Sequence, residues 1–257
     1  MKILLTGGKG FVASAVEKSL ITDGHTVLNV SRSTSPKLKE VLASSQQFDF
    51  YIHTAALSKD SPFANPKDYQ VSNVDLTKEL LEHFESNGSA KKLIYLSTDY
   101  VSNNNYVTPY IDSKRKAERI LSKSLWSSKI TVLRPVLICH DDQPRGILGV
   151  IFKLRLKSGT VLKFPKGFGM EYVKISTVVL AVKNHLSRSS GNYEEIKLCD
   201  GYADLNNPKK WMSTFELTNI PAFVSIKLNA NLLTALFSLG HALKLPLNLH
   251  FLKKLKA

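Results

Sequence analysis

Thr6-Gly7-Gly8-Lys9-Gly10-Phe11-Val12-Ala13-Ser14 is the stretch whose reading decides the fold. It follows the apolar run Ile3-Leu4-Leu5, and beyond it Phe11, Val12, Ala15, Val16, Ser19 and Leu20 recur at helical spacing. The glycines therefore sit in a turn between a buried strand and a helix. Such a turn lets the backbone approach a pyrophosphate, whose charge rests on unpaired N–H groups at the helix start. Gly7, Gly10 and Ala13 have the GxxGxxA spacing of that turn, and no acidic residue stands among them. A dinucleotide is expected to lie there.

Working outward, Gly24 to Ser33 reads as a second strand and Pro36 to Ser45 as a second helix. Phe48 to Leu57 is a third strand-like run, Asn73 to Phe84 a helix, and Lys91 to Val101 a fourth strand. Pro109 to Ser124 is a helix, and Lys129 to Ile138 a strand. Strands alternating with helices in this way specify an α/β fold, a Rossmann-like doubly wound parallel sheet. After Ile138 the pattern becomes irregular: a loop at His140 to Gly146, a basic helix from Gly149, a short strand from Thr160 and a later strand from Asn192. The expected division is a dinucleotide-binding domain over 1–139 and a small substrate-binding lobe over 140–257.

The composition narrows the function classes. The 257 residues are 43% hydrophobic, enough for a sizeable core. A net charge of +14 favours an anionic partner. The lysines are not gathered into a run interleaved with aromatic residues, so no nucleic-acid partner is expected. Cys139 and Cys199 lie far apart with no ligand-like spacing, which predicts two buried thiols and no metal site. The apolar run after Met1-Lys2 is too short for a secretion signal, and no stretch of eighteen apolar residues occurs. A cytoplasmic protein is expected.

At the end of the second strand, where an acidic residue would bind the ribose of NAD, the chain has Ser31-Arg32-Ser33. An arginine between hydroxyls suits a 2'-phosphate, so NADP(H) is favoured, with NAD(H) as the alternative. Tyr110 and Lys114 stand four residues apart at a helix start, on one face. Ser97 and Thr98 close the fourth strand. A phenol with pKa about 10 is a poor proton donor near neutrality unless an adjacent ammonium stabilises its phenolate.

These motifs, together with Ile52-His53-Thr54-Ala55-Ala56 and Leu133-Arg134-Pro135, resemble the extended short-chain dehydrogenase/reductases, and within them the nucleotide-sugar epimerase/dehydratase family. The nearest resemblance is to the branch of UDP-N-acetylhexosamine 4-epimerases and 4-ketoreductases. The resemblance implies that Thr98, with Ser97 as its understudy, binds the substrate C4 oxygen, that Tyr110 exchanges its proton, and that Lys114 holds the nicotinamide ribose. It places Gly7, Lys9, Gly10, Phe11 and Val12 on the pyrophosphate side, Ala55 and Ala56 behind the cofactor, and Pro135 near the nicotinamide amide. The implied activity is NADPH-dependent reduction of a nucleotide-linked 4-keto sugar in cell-surface polysaccharide precursor synthesis. An NAD-dependent 4-epimerase and a catalytically idle cofactor-binding scaffold are the alternatives. A homodimer through Asn73 to Phe84 and Tyr110 to Ser122 is a further expectation.

The chain also departs from that pattern. Eighteen residues, Ser31 to Phe48, replace a segment that usually holds two helices, a strand and an acidic residue beside the adenine, so a sheet strand is expected to be lost. Ile147 stands where an asparagine is usual, and Met170 where an arginine grips the diphosphate; Arg145, Arg155, Lys163 and Lys166 are the cations nearest at hand. From Asn229 to Ala257 the chain is leucine-rich and only positively charged, divided at Pro246. Two helical pieces packed on the lobe are expected, with peripheral membrane contact through Leu247 to Lys256 as the sharper alternative.

Overall fold

The computed structural model describes residues 1–31, 36–58, 64–104, 107–158, 160–188, 191–215 and 224–227. Arg32 and the tail from Asn229 lie outside them, so the readings made on those residues rest on sequence alone.

The opening apolar run forms β1, Lys2–Thr6, with Ile3, Leu4 and Leu5 fully buried. Helix α1, Phe11–Thr22, buries Ala13, Val16 and Leu20. There follow β2 (Thr26–Val30), α2 (Leu38–Leu42), β3 (Phe50–His53) and α3 (Pro66–Tyr69). A π-helical stretch, Gln70–Asp75, carries α3 into α4, Leu76–Ser86. Then come β4 (Lys92–Leu96), α5 (Pro109–Ser122) and β5 (Ile130–Pro135). Thr108 caps α5, its hydroxyl accepting from Ile111 N at 3.2 Å, and Pro109 stands at the first helical position, where a missing N–H costs nothing.

The main sheet has six parallel strands in the order β2-β1-β3-β4-β5-β9, where β9 is Glu194–Leu198. The inner strands β1, β3, β4 and β5 are largely buried, as covering both faces of a parallel sheet requires, while the outer strands β2 and β9 are partly exposed. Among the described residues β2 and β9 are the edges, and β3 pairs directly with the other side of β1. Of the nineteen residues between β2 and β3, those described hold only the short α2, and no further strand is described there. Ladder partners Thr6↔His53 and His53↔Tyr95 bring the C-terminal ends of β1, β3 and β4 level, where open α/β sheets bind ligands.

The reading of Lys129 to Ile138 as one strand is corrected. Pro135 closes β5, and Leu137–Cys139 form a separate β6 that pairs with β8, Gly169–Lys174, in a second sheet of order β10-β8-β6. Strand β10 is Gly201–Asp204. Proline has no N–H for a continuing ladder, so the chain changes sheet at that point. Helix α6 (Gly146–Ser158), β7 (Thr160–Lys163), α7 (Ile175–Ser187), α8 (Pro208–Ser213) and β11 (Val224–Lys227) complete the described elements.

The chain forms two compact units rather than two halves separated near residue 139. One comprises Met1–Pro135 with Thr177–Leu198; the other comprises Val136–Ser176 with Cys199–Ala257. Strand β9 returns to the first unit because it runs beside β5 from Thr131↔Glu194 to Pro135↔Leu198. The second unit has its own apolar core, in which Trp211, Phe215, Tyr172, Phe168 and Met170 are buried. The expectation of two buried thiols holds for Cys139 alone. Cys199 is exposed, because it falls in the turn after β9 and not within the strand.

Candidate active site

The glycine-rich turn has the backbone its sequence requires. Gly7 has φ +129° and Gly8 φ +53°, a region that L side chains rarely adopt. A Cβ on Gly7 would stand 2.4 Å from Thr54 Oγ1, and one on Gly8 2.5 Å from Ser31 Cβ. Gly10 N donates to Gly7 O at 2.9 Å and closes the turn. Gly10 is also the residue before α1, and no side chain caps that helix and no acidic residue lies in its first turn. The helix start therefore carries no capping side chain or acidic group of its own, and its N–H groups are open to an anion.

Gly7, Ser31, Ala55 and Ala56 line a common cleft of about 420 Å³ on the first unit. Lys37 and Lys39 also line it, as do Asp75 at the end of the π-helical stretch and Glu79 of α4. Sequence reading missed these four. The signal was present in Pro36-Lys37-Leu38-Lys39, two cations a few residues beyond the second strand, but the nearer Arg32 drew the assignment. Lys9 and Gly10 are exposed, Phe11 and Val12 half-buried on α1, and Pro135 buried at the end of β5. None of these five lines the cleft.

The residues expected to handle the proton lie at and near the end of β4. Lys114 is 2% exposed, and its Nζ donates to the carbonyl of Leu96, the last residue of β4, at 2.8 Å. The ammonium lies 4.5 Å from the centre of the Tyr95 ring. Burial brings Lys114 down to about 7, with the Glu118 carboxylate working the other way. Ser97 and Thr98 follow Leu96 and are both buried. Ser97 Oγ has no hydrogen-bond partner among the described residues. A buried unpaired hydroxyl is costly, which marks it for a ligand. Tyr110 stands one helical turn before Lys114, half-buried and edge-on to Tyr69 with ring centres 6.4 Å apart.

A line of buried hydrogen bonds runs from the glycine turn to the backbone of Tyr110. Thr77 Oγ1 donates to Asn73 O at 2.7 Å, so it accepts from His53 Nε2 at 3.0 Å. His53 Nδ1 is then the acceptor for Thr6 Oγ1, at 2.6 Å. Asn73 also donates to Ser113 Oγ at 2.9 Å, and Ser113 Oγ donates to Tyr110 O at 2.6 Å. The same asparagine side chain pairs with both backbone groups of Leu57, at 2.7 and 3.1 Å. Burial, followed by the nearby Lys114 charge, holds His53 down at about 3, so it is neutral in this line.

The remaining cations read from the sequence do not assemble. Met170 is 4% exposed within the apolar core of the second unit, while Arg145, Lys163 and Lys166 are exposed. The side chains of Ile147 and Arg155 lie outside the described set. Among the described residues no cluster of metal ligands occurs, and no helix is long and apolar enough to cross a membrane.

A parallel sheet with a glycine turn after β1, an uncapped helix behind it and a Tyr110–Lys114 pair at the end of β4 defines a Rossmann protein of the extended short-chain dehydrogenase/reductase class. Residues 3–139, just over half of the chain, match the NAD dependent epimerase/dehydratase family, and the chain belongs to it. The chain is 32% identical over 123 residues to the UDP-2-acetamido-2,6-beta-L-arabino-hexul-4-ose reductase of Pseudomonas aeruginosa, covering 47% of this chain and 31% of the relative. It is 28% identical over 171 residues to the 2-alkyl-3-oxoalkanoate reductase of Stenotrophomonas maltophilia, covering 54% and 51%. These matches span from a third to a half of the relatives' length. In fold it is similar to MoeE5 in complex with UDP-glucose and NAD, with TM-score 0.69 and 19% identity over 90% of this chain and 86% of that one.

Proposed function

We propose that the chain is an NADPH-dependent reductase of a nucleotide-linked 4-keto sugar. The observation that carries this reading is the anchoring of Lys114 on Leu96, which sets Tyr110's helix beside Ser97 and Thr98. Gly7, Ser31, Ala55, Ala56 and the start of α1 would hold the dinucleotide, with Lys37 and Lys39 offering charge to a 2'-phosphate. The dinucleotide, when bound, supplies hydride to a carbonyl carbon.

The chain's own residues handle the carbonyl oxygen. Thr98, or the unpaired Ser97 hydroxyl, donates a hydrogen bond to that oxygen as negative charge develops on it. Tyr110 gives it the phenolic proton, and the Lys114 ammonium stabilises the phenolate left behind. The Asn73–Ser113 bonds fix the backbone at Tyr110 while this happens. Support for reduction comes from the two relatives, both named as reductases. Support for a nucleotide sugar comes from the first of them.

The test is cofactor content of freshly purified protein, followed by NADPH oxidation with a UDP-linked 4-keto sugar. Reductase activity that falls by about 10²- to 10⁴-fold in Tyr110→Phe, with cofactor binding intact, is the expected result. Tightly retained NAD with no NADPH consumption would instead point to the epimerase. Turnover of a 2-alkyl-3-oxoalkanoate and of no keto sugar would overturn the substrate class. A Tyr110→Phe variant that fully complements a deletion would leave a cofactor-binding scaffold.

A further inference from the structure

Behind Lys114, away from the strand end, α5 carries a second charged group that the proposed chemistry does not use. Glu118 lies one helical turn beyond Lys114 on the same face and is 6% exposed. Among the described residues it is the one carboxylate less than a tenth exposed. Arg134 of β5 grips it with Nε at 3.2 Å and Nη2 at 2.6 Å, a two-pronged bond that fixes the carboxylate's orientation. The same Nη2 reaches Glu195 of β9 at 2.7 Å. Two carboxylates therefore share one guanidinium, and the cluster carries one unbalanced negative charge. One helical turn back on the same helix stands the buried Lys114 ammonium, on which the Glu118 charge acts.

We propose that Glu118 is a positioning residue for the Tyr110–Lys114 pair: clamped by Arg134, its carboxylate keeps the neighbouring lysine charged inside the protein. The inference rests on the proposed role of that pair in proton transfer. Without this charge the ammonium, which burial already brings down to about 7, would lose its proton below neutral pH, and a neutral amine could not stabilise the Tyr110 phenolate. Every element packed around the two groups fits the assignment. From β4, Tyr95 presents a neutral ring to Lys114, and burial, with Tyr110 and Glu118 adding to it, holds its phenol well above the usual range. From β3, His53 is neutral and adds no charge. On α5 itself stand Tyr110 and Glu118. Around Glu118 the groups are Arg134, Glu195 and Tyr193, whose hydroxyl reaches the Glu118 backbone carbonyl at 3.4 Å. Burial, with the charges of Glu118 and Glu195, holds the Tyr193 phenol well above its usual range and therefore neutral. Burial opposes the charge on Arg134, but the bonds and charges of Glu118 and Glu195 outweigh it and raise its pKa. Glu118 is thus the group that acts on Lys114 to favour the charged form.

The experiment reads Lys114 directly. In full-length protein labelled at the lysine side chains, NMR titration follows the Lys114 signal, identified by its loss in Lys114→Met. Glu118→Gln is expected to lower its midpoint by about one unit, a tenfold change in proton affinity, and Glu118→Asp to restore most of it. The alkaline limb of kcat/KM should move down by the same interval in Glu118→Gln. A Lys114 midpoint unchanged by Glu118→Gln overturns the proposal. Glu195 is 38% exposed at its side chain, so Glu195→Gln serves if the first variant fails to fold. It releases Arg134 wholly to Glu118 and should lower the midpoint in the same direction by a smaller amount; no shift there also overturns the proposal. The titration needs no substrate, so a shifted midpoint in a protein whose turnover ignores Tyr110→Phe would sink the reductase chemistry and leave the electrostatic coupling established.

Discussion

Lys114 and Leu96 are joined by a 2.8 Å bond from the buried Nζ to a backbone carbonyl, and this one contact ties α5 to the end of β4. It also encloses a cation where water does not reach. Burial lowers Lys114 to about 7 in the folded state against 10.5 for the free side chain. Between those values the unfolded chain binds more protons than the folded one, so stability rises with pH through that window. The cost of enclosing the charge is therefore complete below about pH 7 and relieved above it.

Lys114→Met removes that cost. At pH 7 the ligand-free variant should be more stable than the parent by a few kcal/mol at most, on the order of the shift converted at ~1.4 kcal/mol per unit. The gap should narrow steadily above pH 7 and close near pH 10.5, while the variant lacks activity throughout. Urea midpoints at pH 6, 7, 8 and 9.5 check this. Parallel curves for the two proteins would mean the lysine carries no linkage.

His53 has the opposite exposure to acid. Its imidazole accepts from Thr6 and donates to Thr77, and burial holds it at about 3 against 6.5 when free. The stability it contributes is present above pH 6.5 and is lost as pH falls toward 3, because the unfolded chain takes up the proton first. His53→Gln should cost about 1–3 kcal/mol at pH 7, the loss of buried hydrogen bonds, yet weaken the parent's decline between pH 6.5 and 4.5. An acid transition identical in both proteins would remove His53 from the account.

Much of the first unit was legible because its signals are local. The glycine spacing, the strand-helix alternation and the Tyr110–Lys114 interval each depend on neighbours in sequence. What was not legible depends on distant partners. Asn73 reads as the start of a helix, but it lies in a π-helical stretch, where its side chain bonds Leu57 and Ser113. No periodicity distinguishes that stretch from an ordinary helical turn. The apolar run Lys129 to Ile138 looks continuous; Pro135 permits a break, and the separate partners of β5 and β6 show that the chain takes it. Glu118 looks like any polar helix residue until β5 brings Arg134 against it. Lys37 and Lys39 were passed over because the distance along the chain pointed to Arg32.

Those two lysines lead to a cofactor prediction. Both line the cleft that contains Gly7 and Ser31. If the cleft receives a 2'-phosphate there, Lys37→Ala should weaken NADP(H) binding about two- to fivefold, the modest effect of an exposed charge, and leave NAD(H) nearly unchanged. Fluorescence titration of the reduced cofactors reads the ratio directly. Equal losses for both cofactors would assign Lys37 to general cleft charge.

Gly7 gives the sharpest test of the turn, because two independent penalties meet in one methyl group. Its φ of +129° is a conformation that an alanine adopts only with strain, and the added Cβ would stand 2.4 Å from Thr54 Oγ1 and 3.0 Å from Ala13 Cβ. Thr54 Oγ1 is held in place by its own 2.6 Å bond to the Thr6 carbonyl, so it cannot swing aside without breaking that bond. Gly24 separates strain from contact: its φ is +79°, yet nothing lies within 4 Å of the added Cβ. Gly24→Ala should therefore cost about 1 kcal/mol and leave cofactor affinity unchanged. Gly7→Ala should cost roughly 2–4 kcal/mol and abolish measurable dinucleotide binding, since the backbone must move at the start of α1. Urea unfolding and NADPH titration on both variants decide it. If Gly7→Ala binds NADPH as the parent does, the glycine turn is a packing device and the dinucleotide lies elsewhere.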